Sequence, residues 1–320
     1  MNSLNFKNIL VPVDFSETSM CAVEHASFLA RRTKGKITFI HVLEKHQTPS
    51  LKFAFTMYNF PEYEEKIEKL EQRQAEFEER QETLVRNELS KLEQRMIDRG
   101  IPNVTSLIKK GDVHKKICSA AKKLDTDVIV MGTHGASGFR EFMVGSNTYK
   151  VVRDAVCPVI SVRKESGNPG FRNIFLPFVD KPHMREHVDY AISLAKIYDA
   201  TLHILGIDTE KEESHLKKIK LEAAQIKKIA EKRGIHCTSE VFPVSYANDV
   251  IVNHAKDKKA DLIVLMADLD KMNVMQYFTG PVVQQIVNHS AIPVLSIPLT
   301  YNPDAMYPEM LENRLFNPPL

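Results

Sequence analysis

Phe6-Lys-Asn-Ile-Leu-Val-Pro-Val-Asp14 and Phe171-Arg-Asn-Ile-Phe-Leu-Pro-Phe-Val179 are two versions of one segment. Each is an apolar run of strand length. Each leads into an amphipathic helical pattern, where Ala26-Ser-Phe-Leu-Ala30 is echoed by Ala191-Ile-Ser-Leu-Ala195. A second apolar run follows in register, Lys36-Ile-Thr-Phe-Ile-His-Val42 against Thr201-Leu-His-Ile-Leu-Gly-Ile207. The echo returns late in each half, with Ala121 to Met131 against Ala255 to Leu265 and Cys157-Pro-Val-Ile-Ser161 against Ile292-Pro-Val-Leu-Ser296. A duplication of about 150 residues is the economical account.

Within each copy, strand-length apolar runs alternate with helix-length amphipathic segments, which predicts an α/β fold with a parallel sheet covered on both faces. Continuous runs such as Val128-Ile-Val-Met131 and Leu262-Ile-Val-Leu265 suit central strands. The first domain is expected over 1–164 and the second over 171–299, joined by a linker from Lys164 to Gly170 rich in Ser, Gly, Asn and Pro, with a tail over 300–320. A chain of 320 residues is long enough for each half to bury its own core.

Charges of both signs nearly cancel, leaving +2, so nothing argues for nucleic-acid or membrane-surface binding. Cys21, Cys118, Cys157 and Cys237 stand far apart with no metal-ligand spacing and read as reduced thiols. No signal peptide and no run of some 20 apolar residues is seen, and a cytoplasmic protein is expected.

The chemistry concentrates in Gly132-Thr-His-Gly-Ala-Ser-Gly-Phe-Arg-Glu-Phe-Met-Val-Gly145-Ser-Asn147, a glycine-rich loop that begins where the run ending at Met131 stops. Glycines at 132, 135, 138 and 145 permit positive φ and close backbone approach, so that several N–H groups can face one anion. Ser146 and Asn147 open a helical pattern whose N-terminus adds N–H donors and positive dipole. The spacing is neither Walker A nor GxGxxG. A plain surface turn is the competing reading. In open sheets of this type, ligands bind at the carboxyl ends of the strands, where both this loop and Asp14 fall.

These residues resemble the universal stress protein family, in two tandem copies over nearly the whole chain. Its nucleotide-binding members carry Gly, two residues, Gly, nine residues, Gly-Ser/Thr, and Gly132, Gly135, Gly145 and Ser146 meet that spacing. The opening Val11-Pro-Val-Asp14-Phe-Ser16 and the Cys157-Pro158-Val159 before the closing strand match as well. The resemblance implies two five-stranded parallel sheets, Rossmann-like and related to the adenine-nucleotide α-hydrolase fold, and ATP as ligand, with Mg at its phosphates. By that resemblance Pro12, Val13 and the backbone around Val42 line the adenine slot, Met131 belongs to the nucleotide-binding set, and Asp14 approaches the ribose hydroxyls or the metal. The amides of Gly132, Gly135, Gly145, Ser146 and Asn147 would cradle the phosphates, with His134 and Arg140 in reach. Asp14 and Ser16 also suit a helix cap, an alternative the sequence leaves open.

The second copy departs from the pattern. Met266 or Ala267 stands where Gly132 does, depending on a one-residue slip, and Leu269 or Asp270 stands for Gly135. Gly280 remains but is followed by Pro281, and Val179 or Asp180 replaces Asp14. This copy should not bind ATP in the family manner. Family domains commonly dimerise through the final strand, which here implies an internal pseudo-dimer around Pro158 to Val162 and Pro293 to Ile297. A homo-oligomer, most simply a dimer, is also implied.

Residues 62–99 contain no Pro or Gly and carry apolar residues at a rough three-four spacing, including Leu70, Phe77, Leu84, Leu89, Leu92 and Met96. They predict an amphipathic helix of roughly 55 Å. It either lies across the domains or serves as an oligomerisation arm. No acid or base pair, pyrophosphatase motif or Ser/His/Asp cluster is evident, and His25, His41 and His203 read as core or helix residues. The expected function is ATP binding in stress response or signalling, with no catalytic residues and at most slow hydrolysis. A partner scaffold that uses no nucleotide, or a slow ATPase, is the alternative.

Overall fold

A computed structural model describes residues 4, 6–44, 64–133, 146–167, 169–178, 186–208, 212–243, 247–267, 286 and 290–298. The first copy runs β1 (Asn8–Pro12), α1 (Glu17–Thr33), β2 (Lys36–Leu43), α2 (Glu64–Asp98), β3 (Val104–Lys110), α3 (Val113–Lys123), β4 (Val128–Gly132), α4 (Ser146–Asp154) and β5 (Val159–Val162). The second runs β6 (Asn173–Phe178), α5 (Glu186–Tyr198), β7 (Thr201–Asp208), α6 (Glu213–Lys232), β8 (Cys237–Pro243), α7 (Ala247–Asp257), β9 (Leu262–Ala267) and β10 (Val294–Pro298).

The ten described strands form one sheet in the order β3-β2-β1-β4-β5-β10-β9-β6-β7-β8. Among the described residues, pairing is parallel within each copy and antiparallel only between β5 and β10, where Ser161, Ile160 and Val159 face Val294, Leu295 and Ser296. Ile160 and Leu295 are equivalent positions of the two copies, so the junction is self-complementary, as in a two-fold dimer interface. The same exchange recurs in the aromatic packing. Phe6 meets Tyr190 edge-on at 6.0 Å, and its equivalent Phe171 stacks on His25, the equivalent of Tyr190, at 5.8 Å. A single buried cluster accordingly draws residues from both copies, from Phe6 and Ile160 to Phe171 and Ile297.

Carboxylates set the start of β1 and β6. Asp127 accepts from the backbone N–H groups of Lys7 and Asn8, both at 2.7 Å, just before β4 begins. Asp261 does the same for Arg172 and Asn173, at 2.8 and 2.9 Å. These side chains supply the N–H groups at the strand starts with acceptors that the sheet ladder does not.

α2 spans 35 residues, about 52 Å. Its last third buries Leu89, Leu92 and Met96 in the core, and Arg95 and Arg99 bind Glu24 of α1, each at 2.7 Å. Further back, Lys110 at the end of β3 reaches Glu82 at 3.1 Å. Leu70, Phe77 and Leu84 are 49%, 61% and 65% exposed. Only part of the helix therefore lies on the body of the protein. No described helix is long and apolar enough to cross a membrane.

Candidate functional site

In the first copy the strand order is β3-β2-β1-β4-β5, so successive connections run in opposite directions from β1 and β4. That reversal opens a crevice beyond the carboxyl ends of β1 and β4, the usual ligand position in open α/β sheets. β1 delivers Asp14 to this end, and β4 delivers Gly132. α1 and α4 both begin there, each presenting an N-terminal dipole end.

Asp14 is exposed, and its Oδ1 accepts from the Ser16 backbone N–H at 3.0 Å and from Ser16 Oγ at 2.5 Å. Ser16 is the N-cap of α1, accepting from Ser19 N–H at 3.2 Å. The cap is thus Ser16, and Asp14 braces it while keeping its carboxylate at the surface. Between them Phe15 adopts φ 63°, a costly left-handed conformation for an aromatic residue. Its ring stacks on His41 at 5.4 Å, and His41 Nδ1 lies 2.7 Å from the Val13 carbonyl oxygen. His41 is therefore a half-buried residue at the rim of the crevice, whereas His25 and His203 are buried, as expected of core residues.

Val13 directly follows β1 at this end of the sheet. Its side chain is buried in the core, its N–H donates to the Ile40 carbonyl at 2.9 Å, and its own carbonyl is taken by His41. Pro12 and Val42 are half-buried at the strand ends, and Met131 is buried beneath them.

Gly132 is the last residue of β4 and does not have positive φ. Its lack of a side chain has another cause: a Cβ there would lie 2.8 Å from the Thr18 carbonyl carbon and 3.0 Å from Ser19 N. The first turn of α1 thus packs directly on the end of β4. Beyond it, Thr133 N–H donates to the Val162 carbonyl at 2.9 Å, and Thr148 Oγ1 donates to the Gly132 carbonyl at 2.9 Å. Thr148, in the first turn of α4, ties that helix to the strand end and so closes the base of the intervening loop. His134, Gly135, Arg140 and Gly145 lie outside the described residues. Ser146 and Asn147 are the first two residues of α4.

Thr148, Phe15, His41 and Thr18 were not among the candidates read from sequence. Phe15 follows the Pro-Val-Asp run, and nothing in its residue type signals positive φ. Thr148 is three residues past Gly145 and reads as an ordinary helix residue.

The second copy has the same strand order, β8-β7-β6-β9-β10, and the sheet register decides between the alternatives left by the sequence. Ile9 pairs with Val128 as Ile174 pairs with Leu262, and Gly132 faces Val162 as Met266 faces Ile297. Met266 is the counterpart of Gly132, and it is buried. Phe178 takes the place of Val13, and Gly206 that of His41; a Cβ on Gly206 would lie 3.1 Å from Phe178 and 2.7 Å from Ile219. Larger side chains thus stand at the second copy's strand ends, Phe178 for Val13 and Met266 for Gly132, both buried in the core. Residues 179, 180, 268–270, 280 and 281 are outside the described residues.

Fold and strand ends together define a doubled open α/β protein whose two copies carry unlike residues at equivalent strand ends. The chain belongs to the universal stress protein family, whose family model matches residues 5–163 and again 170–298. A universal stress protein of Methanocaldococcus jannaschii is 24% identical over 164 residues, covering 51% of this chain and 99% of its own. Among solved structures, a universal stress protein from Archaeoglobus fulgidus superposes with a TM-score of 0.66 at 18% identity, covering 93% of this chain and 99% of that one. A functionally unknown protein from Pseudomonas aeruginosa gives a TM-score of 0.64 at 15% identity, covering 93% and 95%. At these identities the structural likeness speaks for the fold.

Proposed function

We propose that the first copy binds ATP, with Mg²⁺ at its phosphates, and that the protein works in the cytoplasm as a nucleotide-responsive stress or signalling protein. In this account the second copy is a structural partner, and the chain self-associates as a homodimer. The supporting observation is the asymmetry of equivalent positions: glycine at 132 where the second copy buries Met266, and Val13 where it buries Phe178.

The residues present suit such a ligand. Asp14 offers an exposed, acceptor-only carboxylate to ribose hydroxyls or to the metal. Pro12 and Val42 give an apolar edge for adenine, with Met131 behind them and Val13 fixed by its own backbone bonds. Ser146 and Asn147 bring the α4 N-terminus to the phosphates, joined by the amides of Gly132, Gly135 and Gly145, with His134 and Arg140 as further cations or donors. The metal would neutralise phosphate charge. The chain's own part is to bind, orient and order the loop, and occupancy would then change the surface that partners meet.

Gly145→Val tests the assignment, because a branched side chain there would block backbone approach to phosphate. ATP binding should be lost while the melting temperature stays within about 2 °C of wild type. Retained affinity would refute a phosphate cradle at this loop.

A further inference from the structure

α2 carries two apolar stripes. Val85, Leu89, Leu92 and Met96 recur at three-four spacing and pack against the chain's own core. Leu70, Phe77 and Leu84 recur every seven residues, lie roughly a quarter-turn or more around the helix from the first stripe, and are exposed. A seven-residue repeat of exposed apolar residues is the seam pattern of paired helices. With Leu70, Phe77 and Leu84 at d, Gln74 and Gln81 occupy a, where polar side chains interrupt the apolar seam and cost stability while constraining register.

Charge on the flanks selects the partner and its direction. In this register Arg73 and Arg80 fall at g, and Glu78 at e. Two parallel copies in register set Arg73 of each against Glu78 of the other, an opposite-charge pair made twice by symmetry. An antiparallel arrangement would set g against g, arginine against arginine. Glu78 is exposed, accepts from Gln74 Nε2 at 3.5 Å and lies 3.8 Å from Lys110 Nζ of its own chain, a contact loose enough to be exchanged for a partner's arginine. The sheet junction offers no competing route, since β5 and β10 already pair with each other inside the chain.

We propose that the Leu70–Leu84 face of α2 binds the same face of a second copy of this chain as a short, parallel, in-register two-stranded coil. The proposal rests on the self-association in the function proposed above and is independent of nucleotide.

Sedimentation velocity on the full chain, with Phe77→Glu, tests the seam. Placing a charge on both helices at the central layer should raise the dimer Kd by about a hundredfold or more, with an unchanged melting temperature because Phe77 lies outside the core. Leu70→Cys under mild oxidation tests direction. In the parallel coil residue 70 faces its own copy and a cross-linked dimer forms; an antiparallel coil centred on Phe77 sets residue 70 against residue 84 and gives none. Background from native thiols is slow, since burial raises the pKa of Cys21, Cys118, Cys157 and Cys237. A mixture of Arg73→Glu and Glu78→Arg chains should form heterodimers in preference to either homodimer. A dimer indifferent to Phe77→Glu overturns the arm while leaving self-association standing, and a monomeric wild type that Leu70→Cys does not cross-link overturns both. Neither result bears on ATP binding.

Discussion

Ile160 faces Leu295 across the antiparallel junction of β5 and β10, each the other's equivalent in the two copies. A contact that in a dimer would join two chains here joins two halves of one chain; the largest buried cluster runs across it, while a smaller cluster stays within each copy. The copies should therefore unfold as a unit. Leu295→Ala removes a fully buried side chain at the junction and should cost about 2–5 kcal/mol. Urea unfolding followed by far-ultraviolet circular dichroism should show one transition, in wild type and variant alike, at a lower midpoint in the variant. Two separated transitions would mean that each half holds its own stability.

The carboxylate clamps are a second, local source of stability. Asp127→Ala leaves the Lys7 and Asn8 N–H groups without their acceptor and should cost about 1–3 kcal/mol. Asp127→Asn keeps one acceptor oxygen and should cost less. Chemical denaturation of the two variants would show this order, and equal losses would point to packing as the cause.

Two buried histidines set an acid limit. Burial pushes His25 and His187 down to about 4 from an ordinary 6.5. The unfolded chain gains these protons as pH falls through about 6.5, whereas the folded chain holds both rings neutral until about 4. The contribution to stability is therefore full above about 6.5 and is lost progressively down to about 4. Within that window each ring should add a slope of about 1.4 kcal/mol per pH unit. His25→Gln should flatten the fall in stability between pH 6.5 and 4.5, read from urea midpoints at each pH; an unchanged slope would mean that His25 titrates normally in the fold.

The strained turn at the crevice gives a fourth expectation. Glycine accepts φ 63° at Phe15 without the left-handed penalty but loses the stack on His41. Phe15→Gly should thus change stability by less than about 1 kcal/mol, while ATP affinity falls if the ring shapes the adenine end of the crevice. A thermal melt and a nucleotide titration of the same variant separate the two effects.

Much of the architecture was legible before the structure. Unbroken runs such as Val128 to Met131 declare central strands, and matching runs in the second half declare the duplication. The α2 pattern gave the helix but not its division, because both stripes share one periodicity and only packing shows that Leu89 is covered and Phe77 is not. Strand order was hidden, since parallel strands are joined by crossovers that carry no label of direction. Gly132 in a glycine-rich loop suggests freedom at positive φ, yet in the fold it serves close packing against Thr18, a contact between residues far apart in sequence. Asp127 sits in a Leu-Asp-Thr-Asp turn and reads as an ordinary turn residue. Its partners at Lys7 and Asn8 are visible only once the strands are side by side.

The central claim is that one copy is competent for nucleotide and the other is not. Isothermal titration of Mg-ATP into ligand-free protein measures it directly. The account predicts saturation at one site per chain, abolished by Gly145→Val and undisturbed by Met266→Ala. Two sites per chain, or no binding by well-folded, ligand-free protein, would contradict it.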